Sequence, residues 1–512
     1  MTVLGTGRRT GAQVRFQNWV QPPKGLAGEV WIRRPRNTRP CQYQTAGYTW
    51  ASPSGYVLRQ GEGKTSMRFK PPTMLRKRKV HAMLAAGSVL VAVGGLAFAQ
   101  AAPASADPTE TLVVVGSDTV QDVWNAFTTQ SFAPGVAGSY NATNPATGGI
   151  NEQITPTDGW AVQNNIVPNP TAANPLAAGT CSFERPNGSG QGVAALRLAL
   201  NASSTNAGKA AGPVGLGCVD IARSSSVPDV AGTALSWVPF GIDELAGSTG
   251  PVNCSGTNCP TFTADLGNGT TVPNTATVAS TVEPLAAQFT KANLTTLYNC
   301  GTVTIGSTVI WPQGSPTAEP TGAQTIDLYQ PQAGSGTRSF WESANGINYP
   351  DASPCVHDHI INGALAPAND GNVSVPVEEH DGTAVSTDPL GFGPFSAAQW
   401  IAQHTGHNPR YHGAVIQPIS GVSPFTGTTL PTTGAGLNSA NFPIDRYVYD
   451  VVSTPRLTAS GDPIATLIAG AGSTVCASKT LIQSYGFGLI NANVYLGYTC
   501  GETGLAALQG AG

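Results

Sequence analysis

The stretch QPQAGSGTRSFW, residues 330–341, carries the strongest indication of the fold. Its Gly-Ser-Gly-Thr turn stands directly before a segment with helical apolar spacing that contains Phe340 and Trp341, and Gly346 is placed to end that helix. Such a turn either caps a helix, a position that Ser and Gly favour, or presents free backbone N–H groups to an anion. The stretch alone leaves both interpretations open.

Two further Gly-Ser turns stand before segments with helical spacing. The sequence GSDT, residues 116–119, follows the strand-like run TLVVV, and NGSGQG, residues 187–192, precedes VAALRLAL. A helix N-terminus combines free N–H groups with the positive end of the helix dipole, so three converging turns would suit a small oxyanion. The mixture of strand and helix patterns along the chain predicts an α/β fold.

The charge distribution narrows the choice of partner. From Asp107 onward the chain has 10 basic and 27 acidic residues, a formal charge of −17. This charge argues against nucleic acid or an anionic membrane surface as a partner. An anion would therefore have to bind at a local site built from neutral donors.

The segment before Asp107 has the pattern of an export signal. Residues 74–79 (MLRKRK) are positive, residues 82–99 are apolar, and residues 104–106 (ASA) fit a signal-peptidase site, so residues 74–106 are predicted to be a secretory signal peptide. We expect a secreted chain that starts near Asp107, without stable membrane insertion or a lipid-attachment Cys; a single membrane anchor is the alternative. Residues 1–73 are interpreted as a non-native upstream segment or a disordered leader.

Eight of the nine cysteines follow this segment, and an even number in an exported chain predicts disulfides. Proximity favours the pair Cys254 with Cys259, and Cys476 with Cys500 is a reasonable second pair. The other pairings stay open.

The sequence carries none of the common motifs for catalysis or metal binding. The chain has no Walker loop and no G-x-S-x-G nucleophile elbow, and the spacing of its histidines matches no zincin or EF-hand pattern. Glu378 and Glu379 are interpreted as a solvated pair. We therefore expect a non-enzyme without a metal or cofactor.

The order GSDT, GSGQGV, VDIARSSS and AGSGTR resembles that of the PstS-like phosphate-binding proteins of ABC importers, a type II periplasmic solute-binding family. The resemblance implies a two-lobed Venus-flytrap with α/β lobes, a ligand cleft, and crossings near Phe240 and Tyr449. It places lobe 1 at residues 107–240 and 450–512, and lobe 2 at residues 241–449 with a loop insertion at 248–278.

The resemblance also implies ligand-binding residues. Thr119, Ser189 and the Ser-Gly-Thr of residues 335–337 match the family's three phosphate loops, whereas its Arg falls on Pro331 and its Asp on Ser225. We expect Arg223 or Arg338 to replace the Arg, and Asp118 to replace the Asp. The predicted site comprises Ser117, Asp118, Thr119, Ser189, Arg223, Ser225, Ser335, Gly336, Thr337 and Arg338.

Together these features predict a secreted protein that binds phosphate or a similar oxyanion, either for delivery to an ABC importer permease or as a scavenger. One alternative is a secreted phosphoester hydrolase with a nucleophile such as Ser335, which would need a nearby base. The other is a surface protein that keeps the fold and has lost the ligand.

Overall fold

The computed structural model describes residues 111–144, 149–150, 152–156, 181–265, 271–347, 354–361, 375–490 and 497–512. The predicted leader and signal peptide, residues 1–106, lie outside the described residues. Within these ranges, none of the helices has both the length and the apolar character needed to span a membrane.

The chain alternates strands and short helices. The strands are β1 (Leu112–Gly116), β2 (Ala137–Ser139), β3 (Gln153–Ile154), β4 (Phe183–Glu184), β5 (Ile221–Ser224), β6 (Ala231–Thr249), β7 (Thr261–Asp265), β8 (Thr271–Ala276), β9 (Val303–Ile305), β10 (Thr308–Pro312), β11 (Gln324–Tyr329), β12 (Val356–His357), β13 (Gly391–Ser396), β14 (Val415–Gln417), β15 (Asp445–Ser453) and β16 (Gln509–Gly510). The helices are α1 (Gln121–Ala126), α2 (Ser189–Leu200), α3 (Glu283–Ala286), α4 (Lys291–Tyr298), α5 (Gly336–Ala344), α6 (Thr383–Thr387), α7 (Ala397–His404), α8 (Pro463–Ile468), α9 (Thr474–Ala477) and α10 (Lys479–Ser484).

The predicted α/β fold is confirmed by one large mixed sheet. Twelve strands belong to it, in the order β2-β1-β5-β15-β6-β13-β11-β10-β9, with β12 beside β11 and with β14 and β16 beside β6. The pairs β1/β5 and β11/β13 are parallel, whereas β15 and β13 run antiparallel to β6. The sheet therefore has two parallel groups joined through antiparallel strands.

Strand β6 is shared by both parts of the sheet. Residues 235–244 pair with β15, and residues 245–249 pair with β13, so the strand changes its partner between Glu244 and Leu245. We call this point the junction. The strands on the β15 side (β1, β2, β5 and β15) form the first half, and those on the β13 side (β9 to β14) form the second half.

The sheet packs against several cores, and one of them spans both halves, since it includes Phe395 of β13 and Ile401 of α7 beside residues of β1. In the first half the residues of β1 alternate between two cores, with Leu112 and Val114 in one and Val113 and Val115 in the other. A strand covered on both faces reads as a continuous apolar run, which is why residues 112–115 (LVVV) contain no polar side chain. In the second half, Leu328 of β11 packs in a third core together with Trp341 of α5.

Four disulfides join the described cysteines. The predicted pairs Cys254–Cys259 and Cys476–Cys500 are confirmed. The two pairings that stayed open are Cys181–Cys218 and Cys300–Cys355, which close segments of 37 and 55 residues.

The predicted loop insertion at residues 248–278 is more regular than expected. β6 continues to Thr249, and the strands β7 and β8 pair antiparallel within the insertion. The Gly, Thr, Asn and Pro content favoured a loop, but the alternating Thr, Phe and Ala residues of β7 pair across to β8 and bury Ala264.

Candidate functional site

The three Gly-Ser turns meet at Ser225, directly after β5. The Ser225 hydroxyl oxygen lies 3.3 Å from that of Ser117, 3.3 Å from that of Thr119 and 3.2 Å from that of Ser189. Thr337, in the first turn of α5, adds a hydroxyl 3.3 Å from that of Thr119. These five residues form a buried hydroxyl cluster, to which the first half contributes four members and the second half one.

Glycines allow the backbones of the turns to approach one another. Gly188 has φ of 99°, and a Cβ there would lie 2.7 Å from the carbonyl oxygen of Gly334. The Gly190 N–H donates to that same carbonyl at 2.9 Å. A Cβ on Gly336 would lie 2.6 Å from the Ser225 hydroxyl oxygen. Side chains at these positions would separate the turns, so the glycines of the motifs are required by the close approach.

Only one of the turns acts as an ordinary helix cap through its own Ser or Thr side chain. The Ser335 hydroxyl accepts a hydrogen bond from the Arg338 N–H at 3.0 Å, as an N-cap residue does. The Thr119 hydroxyl makes no such bond, since α1 begins at Gln121 without a side-chain cap. The Ser189 hydroxyl accepts from the Ser225 N–H at 2.9 Å. Thr119 is therefore free to serve the cluster.

A carboxylate from the second half enters the hydroxyl cluster. Glu379 accepts hydrogen bonds from the Thr119 hydroxyl at 3.2 Å and from the Thr337 N–H, at the N-terminus of α5, at 3.3 Å. Burial opposes ionisation of this 2 % exposed residue, but contacts with His380, Ser335 and Arg446 outweigh it and lower the pKa of Glu379 to about 2. The cluster thus holds an anionic group.

The interpretation of Glu378 and Glu379 as a solvated pair is wrong. Glu379 is buried as described above, and the Glu378 carboxylate accepts hydrogen bonds from the side-chain amides of Gln332 and Asn187. Removal from water raises the pKa of Glu378 to about 8. The two neighbours therefore differ in charge near neutral pH, with Glu379 ionised and Glu378 largely protonated.

His380 points a donor at the same cluster. Its Nδ1 accepts a hydrogen bond from the Ser396 N–H at 3.4 Å, so we assign the proton of the neutral ring to Nε2, which lies 2.7 Å from the Thr119 hydroxyl oxygen. The residue is 2 % exposed and has φ of 56°, a region that a non-glycine residue occupies at a cost of about 1–3 kcal/mol. The fold holds the imidazole here despite that cost.

Arg446 of β15 connects the junction to the cluster. Its Nε and Nη2 donate to one oxygen of Asp243 at 2.9 and 2.7 Å, and its Nη1 donates to the Thr337 hydroxyl at 3.0 Å. A weaker contact, 3.4 Å long, reaches the carbonyl oxygen of Ser225. Arg446 therefore donates a hydrogen bond to the site but adds little net charge, because Asp243 neutralises its guanidinium.

Two of the predicted charged residues are engaged outside the cluster. Asp118 accepts two hydrogen bonds from the Arg410 guanidinium, at 3.1 and 3.2 Å. Arg223 lies behind the first turn and donates to the carbonyl oxygens of Gly116 at 3.1 Å and Tyr140 at 2.7 Å. Burial lowers the pKa of Arg223 to about 9. Both residues are therefore bound to groups outside the hydroxyl cluster.

Arg338 also binds other partners. Its guanidinium donates to Glu342, one turn further along α5, and to Asp358, each at 3.0 Å. The structure therefore brings together six of the predicted site residues, which are Ser117, Thr119, Ser189, Ser225, Gly336 and Thr337. Ser335, Asp118, Arg223 and Arg338 flank or support this group.

Sequence reasoning missed four residues of the site, namely Glu379, His380, Arg446 and Asp243. Two signals were present. Residues 378–381 read EEHD, four consecutive titratable residues between segments that contain Val377 and Ala384, and residues 445–446 place two charges at the start of a strand that is otherwise mainly apolar. Polar runs at such positions indicate either a solvated turn or a buried polar group, and the pattern alone does not distinguish them.

No metal centre is found among the described residues, where no three His, Cys, Asp or Glu side chains are grouped to hold an ion. The fold and the cluster together define a mixed α/β protein with a buried polar site between the two halves of one sheet.

No protein-family model matches the chain, and no curated protein matches it in sequence. Among solved structures, the chain is similar to an ABC-type phosphate transport receptor from Vibrio cholerae, with 14 % identity, a TM-score of 0.34, and 74 % of this chain and 100 % of that chain covered.

Two further solved structures show similar values. A putative phosphate ABC transporter substrate-binding protein from Clostridium perfringens, with bound phosphate, has 12 % identity and a TM-score of 0.35 over 74 % of this chain and 99 % of that one. PstS from Borrelia burgdorferi has 14 % identity and a TM-score of 0.30 over 75 % of this chain and 99 % of that one.

Proposed function

We propose that the protein binds a small oxyanion, with phosphate the leading candidate, at the hydroxyl cluster. The observation that supports this most is the Glu379 carboxylate, which is held by the Thr119 hydroxyl and by the N-terminal Thr337 N–H of α5. Groups that hold one buried oxyanion in ionised form are suited to hold another.

The hydroxyls of the cluster have donor capacity to spare. Their mutual distances of 3.2–3.3 Å are longer than the roughly 2.7–2.8 Å of a good O–H···O hydrogen bond. Exchange of these weak contacts for bonds to a charged oxygen is favourable, because hydrogen bonds to charged groups contribute about 1.5–3 kcal/mol. The cluster can therefore open around an anion at a modest cost.

Glu379 would determine which anion is accepted. An ionised carboxylate repels an incoming anion unless that anion carries a proton that the carboxylate can accept. Monohydrogen phosphate has such a proton, whereas sulfate at neutral pH has none. The motif resemblance implies an Asp in this acceptor role at the position of Ser225, and we expected Asp118 to replace it. Because Asp118 is held by Arg410, we propose Glu379 for the role instead.

Hydrolysis is not part of the proposal. In the neutral tautomer, the His380 Nε2 donates to Thr119 and cannot remove its proton. Glu379, with a pKa of about 2, would be a weak general base at neutral pH. Ser335 caps α5 through Arg338. A chromogenic phosphoester gives a direct check, since steady release of product would favour the hydrolase instead.

The proposed role is that of a secreted solute-binding protein, which either delivers its anion to an ABC importer permease or scavenges it. The location follows from the export pattern at residues 74–106 and is tested by N-terminal sequencing of the protein recovered from the medium.

The binding proposal is tested by calorimetry on the full chain after bound anions have been stripped by partial unfolding and refolding. Phosphate should bind and sulfate should be rejected. In Glu379→Gln the ratio of the sulfate to the phosphate dissociation constant should fall by at least about tenfold, because the amide can donate to sulfate and no longer repels it.

Glu378→Gln is the matched control, because this neighbour is largely protonated near neutral pH and lies outside the hydroxyl cluster. It should keep the wild-type discrimination. Absence of heat with both anions in wild-type protein would contradict the proposal and favour a surface protein without a ligand. If wild type and Glu379→Gln prefer phosphate over sulfate by the same factor, Glu379 does not determine the choice of anion.

A further inference from the structure

Two carboxylic acids face each other at the junction. Glu244 is the last residue of β6 that pairs with β15, and its partner in the antiparallel ladder is Asp445. Directly opposed residues of such a ladder have Cβ atoms about 4.5–5.5 Å apart on one face of the sheet, where like charges destabilise the pairing. The pair stands where β6 passes from the first half to the second.

The acid pair is buried, and three of its four carboxylate oxygens lack a hydrogen-bond partner of good geometry among the described residues. Glu244 is 0 % exposed, Asp445 is 6 % exposed, and the three oxygens are both of those of Glu244 and the Oδ1 of Asp445. Two buried carboxylates cannot both be ionised in this setting without a cation, because each would repel the other in a medium of low polarity. A proton is the smallest cation that can resolve the conflict.

No charged group around the pair neutralises the two carboxylates. Asp243, next along β6, adds negative charge, and Arg446, next along β15, faces the other way and is bound to Asp243. From β13 and α7, the groups that reach this part of β6 are the Ser396 hydroxyl and the Ala398 N–H, and both bind Asp243.

The remaining neighbour is the segment before β15. The backbone of Asn438 in this segment lowers the pKa of Glu244, but by less than burial and the nearby carboxylates raise it. Burial, together with Asp445 and Asp243, raises the pKa of Glu244 to about 10. Burial and Asp243 raise the pKa of Asp445 to about 8.

We propose that Glu244 and Asp445 form a proton-binding pair at the junction, which keeps β6 and β15 paired while it holds a proton and separates them when it ionises. The consequence for the site follows from the ladder, because the next pair along it is Asp243 with Arg446. Arg446 contacts Thr337 of the second half and Ser225 of the first. Loosening of the strands at the junction would withdraw this contact from the hydroxyl cluster.

The test uses the full chain and compares wild type with Glu244→Gln between pH 6 and 10. The first readout is urea unfolding, which is independent of any ligand. One proton held only by the folded state makes the unfolding constant rise by up to about tenfold per pH unit. The logarithm of the unfolding constant should therefore rise with pH in wild type, and its slope should correspond to one proton fewer in Glu244→Gln. Glu319→Gln changes an exposed glutamate and should give the wild-type slope.

The second readout is phosphate affinity, and this arm alone rests on the proposed function. The ratio of the wild-type to the Glu244→Gln dissociation constant cancels the ligand's own ionisation, and it should increase by at least about tenfold from pH 7 to pH 10. If phosphate binds to neither protein, the binding proposal fails and the unfolding slope still decides the junction proposal.

Several results would overturn the junction proposal. An unfolding slope shared by wild type and Glu244→Gln would show that the pair takes up no proton on folding. A loss of stability on chelation that Ca²⁺ restores would show that the pair holds a metal ion instead. If Glu244→Gln fails to fold, Asp445→Asn provides the same comparison, and an unchanged slope there refutes the proposal.

Discussion

Gly336→Ala tests whether close approach of the two halves is needed for the site. The new Cβ would lie 2.6 Å from the Ser225 hydroxyl oxygen and 2.8 Å from the Ser189 Cβ. Ordinary contact between heavy atoms begins at about 3.5 Å, so the turns must separate by on the order of 1 Å. Gly336 is the first residue of α5, and alanine is a better helix former by up to about 1 kcal/mol.

The change should therefore weaken the contact between the halves without harming either half. One hydrogen bond between the turns stands to be lost, from Gly190 N–H to the Gly334 carbonyl at 2.9 Å. At about 0.5–1.5 kcal/mol, its loss corresponds to roughly 2- to 12-fold weaker anion binding.

The assay combines calorimetry with hydrogen exchange at the Gly190 amide, whose protection depends on the contact and does not require a ligand. Exchange at this amide should accelerate, while amides in the centre of β1 keep their protection. Gly472→Ala is the control, because no atom lies within 4 Å of the Cβ position there. Unchanged exchange at Gly190 together with wild-type affinity would refute the reasoning.

Three further changes test the electrostatics and the cross-links. Arg446→Leu leaves Asp243 buried without its cation and should lower the free energy of unfolding by about 3–5 kcal/mol, measured by urea unfolding at pH 7. Burial raises the pKa of Asp450 to about 8, so the stability from its protonated form is present below pH 4 and is lost as the pH rises through 8; Asp450→Asn should flatten the stability curve across that window. Replacement of Cys300 and Cys355 by Ser opens a 55-residue segment and should lower the free energy of unfolding by about 4 kcal/mol, measured by thermal unfolding.

The sequence predicted the elements that depend on local pattern. The three turns, the helices that follow them and the strand with RYVYDVV were found because strand and helix periods and glycine placement are local properties. The disulfides Cys254–Cys259 and Cys476–Cys500 followed from short separation. Convergence of the turns was predicted only through the order of the motifs.

The rest of the site depends on tertiary contacts. Whether Glu379 faces water or a cluster of hydroxyls is decided by the packing of residues 375–382 against the first half, about 260 residues earlier in the chain, as its contact with Thr119 shows. The partner of Asp118 is 292 residues away at Arg410. No periodicity in the sequence encodes such pairings, so the partners of the charged side chains could not be predicted from it.

The position of β15 between β5 and β6 also has a consequence for synthesis. Strands β1 and β5 are complete by Ser224, yet the strand that joins β5 to β6 is only made when residues 445–453 appear. The sheet of the first half therefore closes only after the second half has been translated. We expect a growing chain to leave the long edge of β6 unpaired until then, which favours late folding of the whole molecule and makes nascent chains that end before Asp445 prone to aggregation.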